Sequence, residues 1–122
     1  MAISLTLITN LVIAVIALLH LYILVLEMFL WEKPAGLRAF RNTPEKAAAT
    51  RVLAANQGLY NGFLAAGLLW GLWLGDAGLH IKIFFLLCIA IAGIYGALTA
   101  ARKIIVIQTV PAVIALGLLA TT

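Results

Sequence analysis

The chain has 122 residues, of which 66% are hydrophobic and 10% are charged, with a formal net charge of +4 and a single cysteine. A soluble domain carries about 45–50% apolar and about 25% charged residues, so this composition excludes an ordinary soluble globular protein. The apolar content also excludes an intrinsically disordered chain. One cysteine cannot form a disulfide framework or a thiolate metal cage. At about 20 residues per crossing, the length accommodates four membrane crossings joined by short loops.

The first predicted helix covers about residues 3–30 and contains neither lysine nor arginine. Leucine, isoleucine, valine and alanine dominate it, and Asn10, His20 and Glu27 interrupt the apolar run. It is longer than the roughly 20 residues that span a bilayer, so we expect it to tilt or to project from the membrane. A signal peptide would have a basic start and a small-residue cleavage site. The stretch has neither feature, which favours a helix that is retained.

A polar connector, residues 31–51, follows this helix and holds five of the eight basic residues. Trp31 at its start is typical of an aromatic residue at the membrane–water interface. Thr43, Pro44 and Glu45 are typical of a helix start, with a capping hydroxyl, a proline at the first helical position and an acid in the first turn. The second predicted helix therefore covers about residues 44–73, begins in water and enters the membrane near Arg51.

The rest of the chain contains two further predicted helices. A tight turn at residues 75–78 precedes the third helix, about residues 81–101, and the fourth covers about residues 104–119. In the fourth, Pro111 should kink the helix or leave a backbone carbonyl that Gln108 can serve. Together the segments predict an all-α fold, a four-helix transmembrane bundle that forms a single domain over residues 1–122.

The basic residues predict the orientation of this bundle. Seven of the eight lie in the connector or between helices three and four, whereas Lys82 alone lies between helices two and three. Loops rich in lysine and arginine stay in the cytoplasm. We therefore expect a multi-pass protein of the bacterial inner membrane with both termini outside. The positive charge then reflects orientation and contact with anionic lipid, not nucleic-acid binding.

Polar side chains inside the apolar segments are expensive and point to function. His20 and Glu27 are seven residues apart, so they share one helix face. They could move a proton or hold a polar headgroup in a common cavity. Alternatively, His20 joins helices and Glu27 pairs with Arg51 or Arg102. No second histidine or cysteine has the spacing of a metal ligand, so no metal site is expected.

The second predicted helix carries a broad polar face made of Asn56, Gln57, Tyr60 and Asn61. These groups bind a ligand or build an interhelical hydrogen-bond network. Beside them lies the small-residue stripe, one alanine or glycine every four residues at Ala54, Gly58, Gly62 and Ala66. Such stripes allow close helix approach, and we expect this one to pack between subunits of an oligomer.

A third cluster is predicted at the end of the third helix, where Tyr95, Thr99 and Arg102 recur on one face. A phenol, a hydroxyl and a guanidinium in this order suit a carboxylate or phosphate. The alternative is that Arg102 only sets the topology and extends its side chain to the interface.

Nearly the whole chain resembles a family of small bacterial membrane proteins, the domain of unknown function thirteen-zero-four (DUF1304). The resemblance rests on HLYILVLEMFLWEKP from His20, on NQGLYNG at residues 56–62 and on QTVPA from Gln108. The NQGLYNG stretch is specific. This resemblance implies a membrane protein and brings no activity with it.

Residues 51–71 more loosely resemble the second helix of the membrane-associated eicosanoid and glutathione metabolism superfamily. That resemblance implies trimers of four-helix subunits that hold lipid and glutathione between neighbours near the cytosolic face. This chain keeps the Arg51 of the superfamily's glutathione pattern. It has Ala54, Gly58 and Asn61 at the three following pattern positions. By approximate spacing, Arg102 corresponds to the thiol-activating arginine.

We therefore expect a homo-oligomer, most simply a trimer, that contacts membrane lipid and binds a lipophilic ligand near the cytoplasmic face. The expected pocket is lined by polar side chains from three helices: His20, Glu27, Arg51, Asn56, Gln57, Tyr60, Asn61, Tyr95 and Arg102. One alternative is a membrane enzyme that acts on a lipophile, with glutathione as cosubstrate, or isomerises it. Another is a small transporter subunit in which Glu27 couples transport to protons.

Overall fold

The structure, a computed structural model, describes residues 4–122 and is helical throughout, with no strand in that range. Five α-helices are present: α1, Leu5–Met28; α2, Pro34–Ala39; α3, Pro44–Trp73; α4, Leu79–Thr99; and α5, Val110–Thr121. A 3₁₀-helix at Gly75–Gly78 precedes α4, and a π-helix at Ile105–Thr109 precedes α5. The all-α prediction is confirmed. Residue 3, the expected start of the first helix, lies outside the described residues.

Local chemistry explains where the connector helices begin. The Thr43 hydroxyl caps α3 by accepting a hydrogen bond from the Lys46 backbone N–H at 3.2 Å, and Pro44 takes the first helical position. Pro34 likewise begins α2, a short helix that the sequence did not predict. Helix α2 packs so closely on the end of α1 and the following turn that a Cβ on Gly36 would overlap the backbone carbonyl of Leu30. Only a glycine fits there without a backbone shift.

Two of the described helical stretches, Leu5–Met28 and Gly75–Thr99, are long and apolar enough to cross a membrane. Only 33% and 28% of the residues in their most apolar windows are buried, whereas the core helix of a soluble protein would be mostly buried. The two stretches therefore suggest a membrane protein. Helix α3 is less apolar because its polar face interrupts it, and the apolar stretch Ile105–Thr121 is shorter.

The chain forms two compact units. The first combines residues up to Ala17 with Ala66–Thr122, and the second is Leu18–Ala65. In the first unit α4 packs closely on the π-helix, since a Cβ on Gly93 would collide with Thr109. The Thr109 hydroxyl donates a 2.9 Å hydrogen bond to the Ala90 carbonyl. The π-helix lies directly before Pro111, whose missing N–H and fixed φ disturb regular α-helical bonding.

In the second unit the C-terminal half of α1 packs on the N-terminal part of α3. Both helices bury residues at spacings of three, four and seven, which is typical of helices that cross at a small angle. Within this unit the buried positions are His20, Leu26 and Glu27 on α1, and Ala47, Ala54, Gly58, Asn61 and Ala65 on α3.

The two glycines of the small-residue stripe pack against α1 of the same chain, and the contact between subunits that the sequence predicts for part of the stripe stays a prediction. A Cβ on Gly58 would lie 2.6 Å from Met28 Cγ and 3.1 Å from Glu27 Cβ. A Cβ on Gly62 would lie 2.6 Å from Leu24 Cδ1. Both glycines therefore allow close approach between α3 and α1 of the same chain.

Candidate functional site

The centre of the second unit is a buried carboxylate. Glu27 lies in the last turn of α1 with 3% of its surface exposed, and its Oε1 accepts a 2.6 Å hydrogen bond from Asn61 Nδ2 on α3. Asn61 is 6% exposed. A buried carboxylate needs donors to replace water, and the Asn61 amide supplies one. Gly58, one turn before Asn61, lets α3 approach α1 closely beside Glu27.

His20 lies two turns before Glu27 on the same buried side of α1 and is fully buried. Seven residues of helix separate the two side chains by roughly 10 Å along the axis. The imidazole and the carboxyl group therefore occupy different depths of one packed interface. The structure brings Glu27 and Asn61 into contact, and it places His20 further along the same seam.

An amphipathic cleft lies at the junction between α1 and the connector. It has a volume of about 280 Å³, and both apolar and charged side chains line it: Met28, Phe29, Trp31, Glu32, Lys33 and Arg51. We refer to it as the connector cleft. Phe29 is 66% exposed, so the apolar side of the cleft is open to whatever surrounds α1.

Two adjacent contacts hold the connector cleft together. Trp31 Nε1 donates a 3.2 Å hydrogen bond to Thr50 Oγ1, and Arg51 Nη1 lies 3.5 Å from Glu32 Oε1. The Trp31 ring also packs on Phe40, with 5.0 Å between ring centroids. Trp31 thus organises the fold of the connector, in addition to the interfacial place that its sequence position indicates. Arg51 pairs with Glu32 and not with Glu27, the partner that the sequence suggested.

The remaining predicted residues of α3 are exposed. Asn56 Nδ2 donates a 2.9 Å hydrogen bond to the Val52 carbonyl of its own helix, so its amide needs no partner on another helix. Tyr60 is 59% exposed and stacks at 6.0 Å on Phe63. Gln57 is exposed beside them. The polar face therefore divides into a buried member, Asn61, and three outward-facing members.

Tyr95 and Arg102 belong to the first unit, and both are exposed there. The Thr99 hydroxyl donates at 2.7 Å to the backbone carbonyl of Tyr95, which ties Thr99 to its own helix. No group of three metal-binding side chains occurs among residues 4–122.

Lys82 is a polar residue whose burial the sequence did not predict. It was counted with the charges between helices two and three, although it falls within the predicted third helix; it lies in the first turn of α4 and is 5% exposed. Its Nζ donates to Asn10 Oδ1 at 3.2 Å and to the Gly75 carbonyl at 3.5 Å. The usable sequence signal was its place inside an apolar run, directly after a glycine-rich turn.

Comparison with known proteins identifies related chains. The family model described as "Protein of unknown function (DUF1304)" matches residues 14–120. The uncharacterized protein YpaA of Lactococcus lactis subsp. lactis is 33% identical over 113 residues, which cover 91% of this chain and 95% of the relative. No solved structure matches the chain significantly.

Proposed function

We propose that this chain, which belongs to the DUF1304 family, is a multi-pass protein of the bacterial inner membrane that binds an amphiphile in the connector cleft. The observation that carries the proposal is the composition of that cleft. Met28, Phe29 and Trp31 form an apolar side, and Glu32, Lys33 and Arg51 form a charged side. Ligand sites combine these features, with apolar walls that bind and a few polar groups that orient.

The charges of the cleft favour an anionic headgroup. Two cations and one carboxylate line it, and the Arg51 side chain is 69% exposed while paired at 3.5 Å with Glu32. Such an exposed ion pair contributes about 0–1 kcal/mol, so a carboxylate or phosphate can displace Glu32 at little cost. Arg51 can then hold that group by two parallel hydrogen bonds.

The apolar part of the ligand would follow the outer surface of α1. Val25 on α1 is 40% exposed and Phe29, directly after that helix, is 66% exposed, and on α3 Val52 and Leu53 are 68% and 71% exposed. In this proposal these side chains face lipid or the ligand's chain. The buried pair of Glu27 and Asn61 supports the cleft from below by fixing α1 against α3.

The topology and assembly complete the proposal. In the proposed topology the connector cleft lies on the cytoplasmic side and both termini lie outside, which the bias of seven basic residues supports. The exposed polar group of Asn56, Gln57 and Tyr60 lies among exposed apolar residues, an arrangement that favours burial against a second copy. A homotrimer is the assembly we propose.

Two alternative functions have less support from the structure. A glutathione-dependent enzyme would use Arg51, but Ala54, Gly58 and Asn61, at the other pattern positions, are buried, and Gly58 and Asn61 contact α1. A proton-coupled transporter would use the buried Glu27, which lies in the last turn of its helix and not at its centre. Retention on immobilised glutathione and proton-driven uptake into vesicles would support these alternatives respectively.

Binding of a fluorescent fatty acid to the detergent-purified protein tests the proposal. Arg51→Gln should weaken binding about tenfold, equivalent to about 1.4 kcal/mol, because the headgroup loses a charged hydrogen-bonding partner. Arg38→Gln removes the same charge from the connector outside the cleft and should change binding less than about twofold. Equal effects of the two variants would mean that the fatty acid is attracted nonspecifically by positive charge and does not bind in the cleft.

A further inference from the structure

A second cleft lies in the first unit around the buried Lys82. Its volume is about 280 Å³, and its lining comes from α1, the 3₁₀-helix, α4 and α5: Thr6, Thr9, Asn10, Gly75, Asp76, Leu79, Lys82, Leu119 and Thr122. We refer to it as the lysine cleft. It shares no residue with the connector cleft.

The lysine is held in place by its stem. A Cβ on Gly71 would lie 2.8 Å from Lys82 Cγ, and a Cβ on Gly78 would collide with the Gly71 backbone. Gly71 therefore lets the aliphatic stem of Lys82 pack directly on α3, and Gly78 lets the 3₁₀-helix approach α3 at the same point. The ammonium is directed to a fixed point beside Asn10 and Gly75.

The charge of this ammonium is incompletely compensated. Its two hydrogen-bond acceptors, an amide oxygen and a backbone carbonyl, are neutral. Among residues 4–122 no carboxylate lies within 4.0 Å of Lys82. An ammonium has three donors, so one remains for a further acceptor. Burying a cation without a counter-ion is costly, and an anion in the cleft would remove that cost.

Several other polar groups of the lysine cleft can accept hydrogen bonds. Asp76 carries a carboxylate, and the hydroxyls of Thr9 and Thr122 donate to the carbonyls of Leu5 and Leu119. Their remaining lone pairs can accept hydrogen bonds. The cleft thus pairs one fixed cation with several acceptors, which complements a ligand that carries an anion and an N–H cation.

The location of the lysine cleft indicates that such a ligand is a membrane lipid. Gly75 begins the apolar stretch Gly75–Thr99, so the cleft lies at the end of a candidate membrane span, at the depth of lipid headgroups. Leu79 is 40% exposed at its edge and offers an apolar surface to an acyl chain. A volume of about 280 Å³ exceeds what a single small ion needs.

We propose that the lysine cleft binds the zwitterionic headgroup of an aminophospholipid. The phosphate accepts a hydrogen bond from Lys82 Nζ, and the primary amine donates to Asp76 and to a threonine hydroxyl. The two opposite charges of the headgroup then meet the two opposite charges of the cleft.

Native mass spectrometry of the intact protein with short-chain lipids tests this proposal. Phosphatidylethanolamine should bind at least about fivefold more tightly than phosphatidylglycerol, which lacks the amine, and than phosphatidylcholine, whose amine has no N–H. Glycerophosphoethanolamine, the same headgroup without chains, should bind weakly. Equal binding of all three lipids would overturn the proposal. Tight binding of glycerophosphoethanolamine would show that the cleft takes a free headgroup compound and would overturn the assignment of a membrane lipid as ligand.

Substitutions at Lys82 and Asp76 test whether the lipid binds in the lysine cleft. Lys82→Met keeps the stem and should lower phosphatidylethanolamine affinity about tenfold, whereas Arg38→Gln, which removes an exposed charge elsewhere, should not change it. Asp76→Asn alters an exposed side chain, so it should fold normally even if Lys82→Met does not. Asp76→Asn should abolish the preference for phosphatidylethanolamine over phosphatidylglycerol. An unchanged preference in Asp76→Asn would contradict the assigned pose.

Discussion

At the scale of single residues, burial separates polar side chains that look alike in sequence. Asn56 and Asn61 lie five residues apart on α3, yet Asn56 bonds to its own helix whereas Asn61 donates to Glu27 at 2.6 Å. The second bond is buried on both sides. The free energy of unfolding should therefore depend on Asn61 far more than on Asn56.

Replacing each asparagine by alanine tests this difference. Asn61→Ala leaves the buried Glu27 carboxyl group without its donor and should lower the free energy of unfolding by about 1–3 kcal/mol. Asn56→Ala removes an exposed local bond and should change it by no more than about 0.5 kcal/mol. Thermal unfolding in one detergent measures both variants, and equal losses would mean that the Glu27–Asn61 bond adds no stability.

The sequence predicted part of this site for a simple reason. The seven-residue spacing places His20 and Glu27 on one face of a helix, and both are buried. It could not predict that Arg51 pairs with Glu32, because that contact depends on how the connector folds. It also could not distinguish Lys82 from an ordinary flanking charge, since its burial depends on backbone approach at Gly71 and Gly78.

At the scale of the elements, glycines set the distance between helices. The site for a Cβ on Gly58 lies 3.1 Å from Glu27 Cβ and 3.3 Å from the Leu24 carbonyl oxygen, which is rigid backbone. By contrast, nothing lies within 4 Å of the corresponding site on Gly117 in α5. Gly58 therefore lies at a close helix contact and Gly117 does not, so the same substitution at the two positions can be compared.

Gly58→Leu should lower the thermal stability in detergent, because the larger side chain forces α1 and α3 apart at a cost of about 1–3 kcal/mol or more. Gly117→Leu should leave stability unchanged or raise it slightly, since leucine favours a helix more than glycine does. If Gly58→Leu is as stable as the unchanged protein, α1 and α3 do not pack through Gly58.

The elements themselves were more predictable than their contacts. The apolar runs, the cap at Thr43 and the turn before α4 follow from local chemistry and appear in the structure. The short helix α2 was missed because Gly36 within it resembles a turn residue. The sequence also could not predict that Gly58 and Gly62 pack on α1, since a stripe of small residues shows that something packs closely but not which helix does so.

At the scale of the whole molecule, the proposed function depends on one orientation in the membrane. The connector, with five basic residues, should face the cytoplasm, and the described C-terminal end of the chain should lie outside. The connector cleft would then meet lipids of the cytoplasmic leaflet. Chemical labelling can locate both regions, because Cys88 is the only native cysteine and can be removed.

The most direct measurement uses a Cys88→Ser background with either Glu45→Cys in the connector region or Thr122→Cys at the end of the chain. Intact spheroplasts are treated with a membrane-impermeant maleimide. Thr122→Cys should react in intact spheroplasts, whereas Glu45→Cys should react only after permeabilisation. Reaction of both variants before permeabilisation, or of Glu45→Cys alone, would contradict the proposed orientation and the placement of the connector cleft.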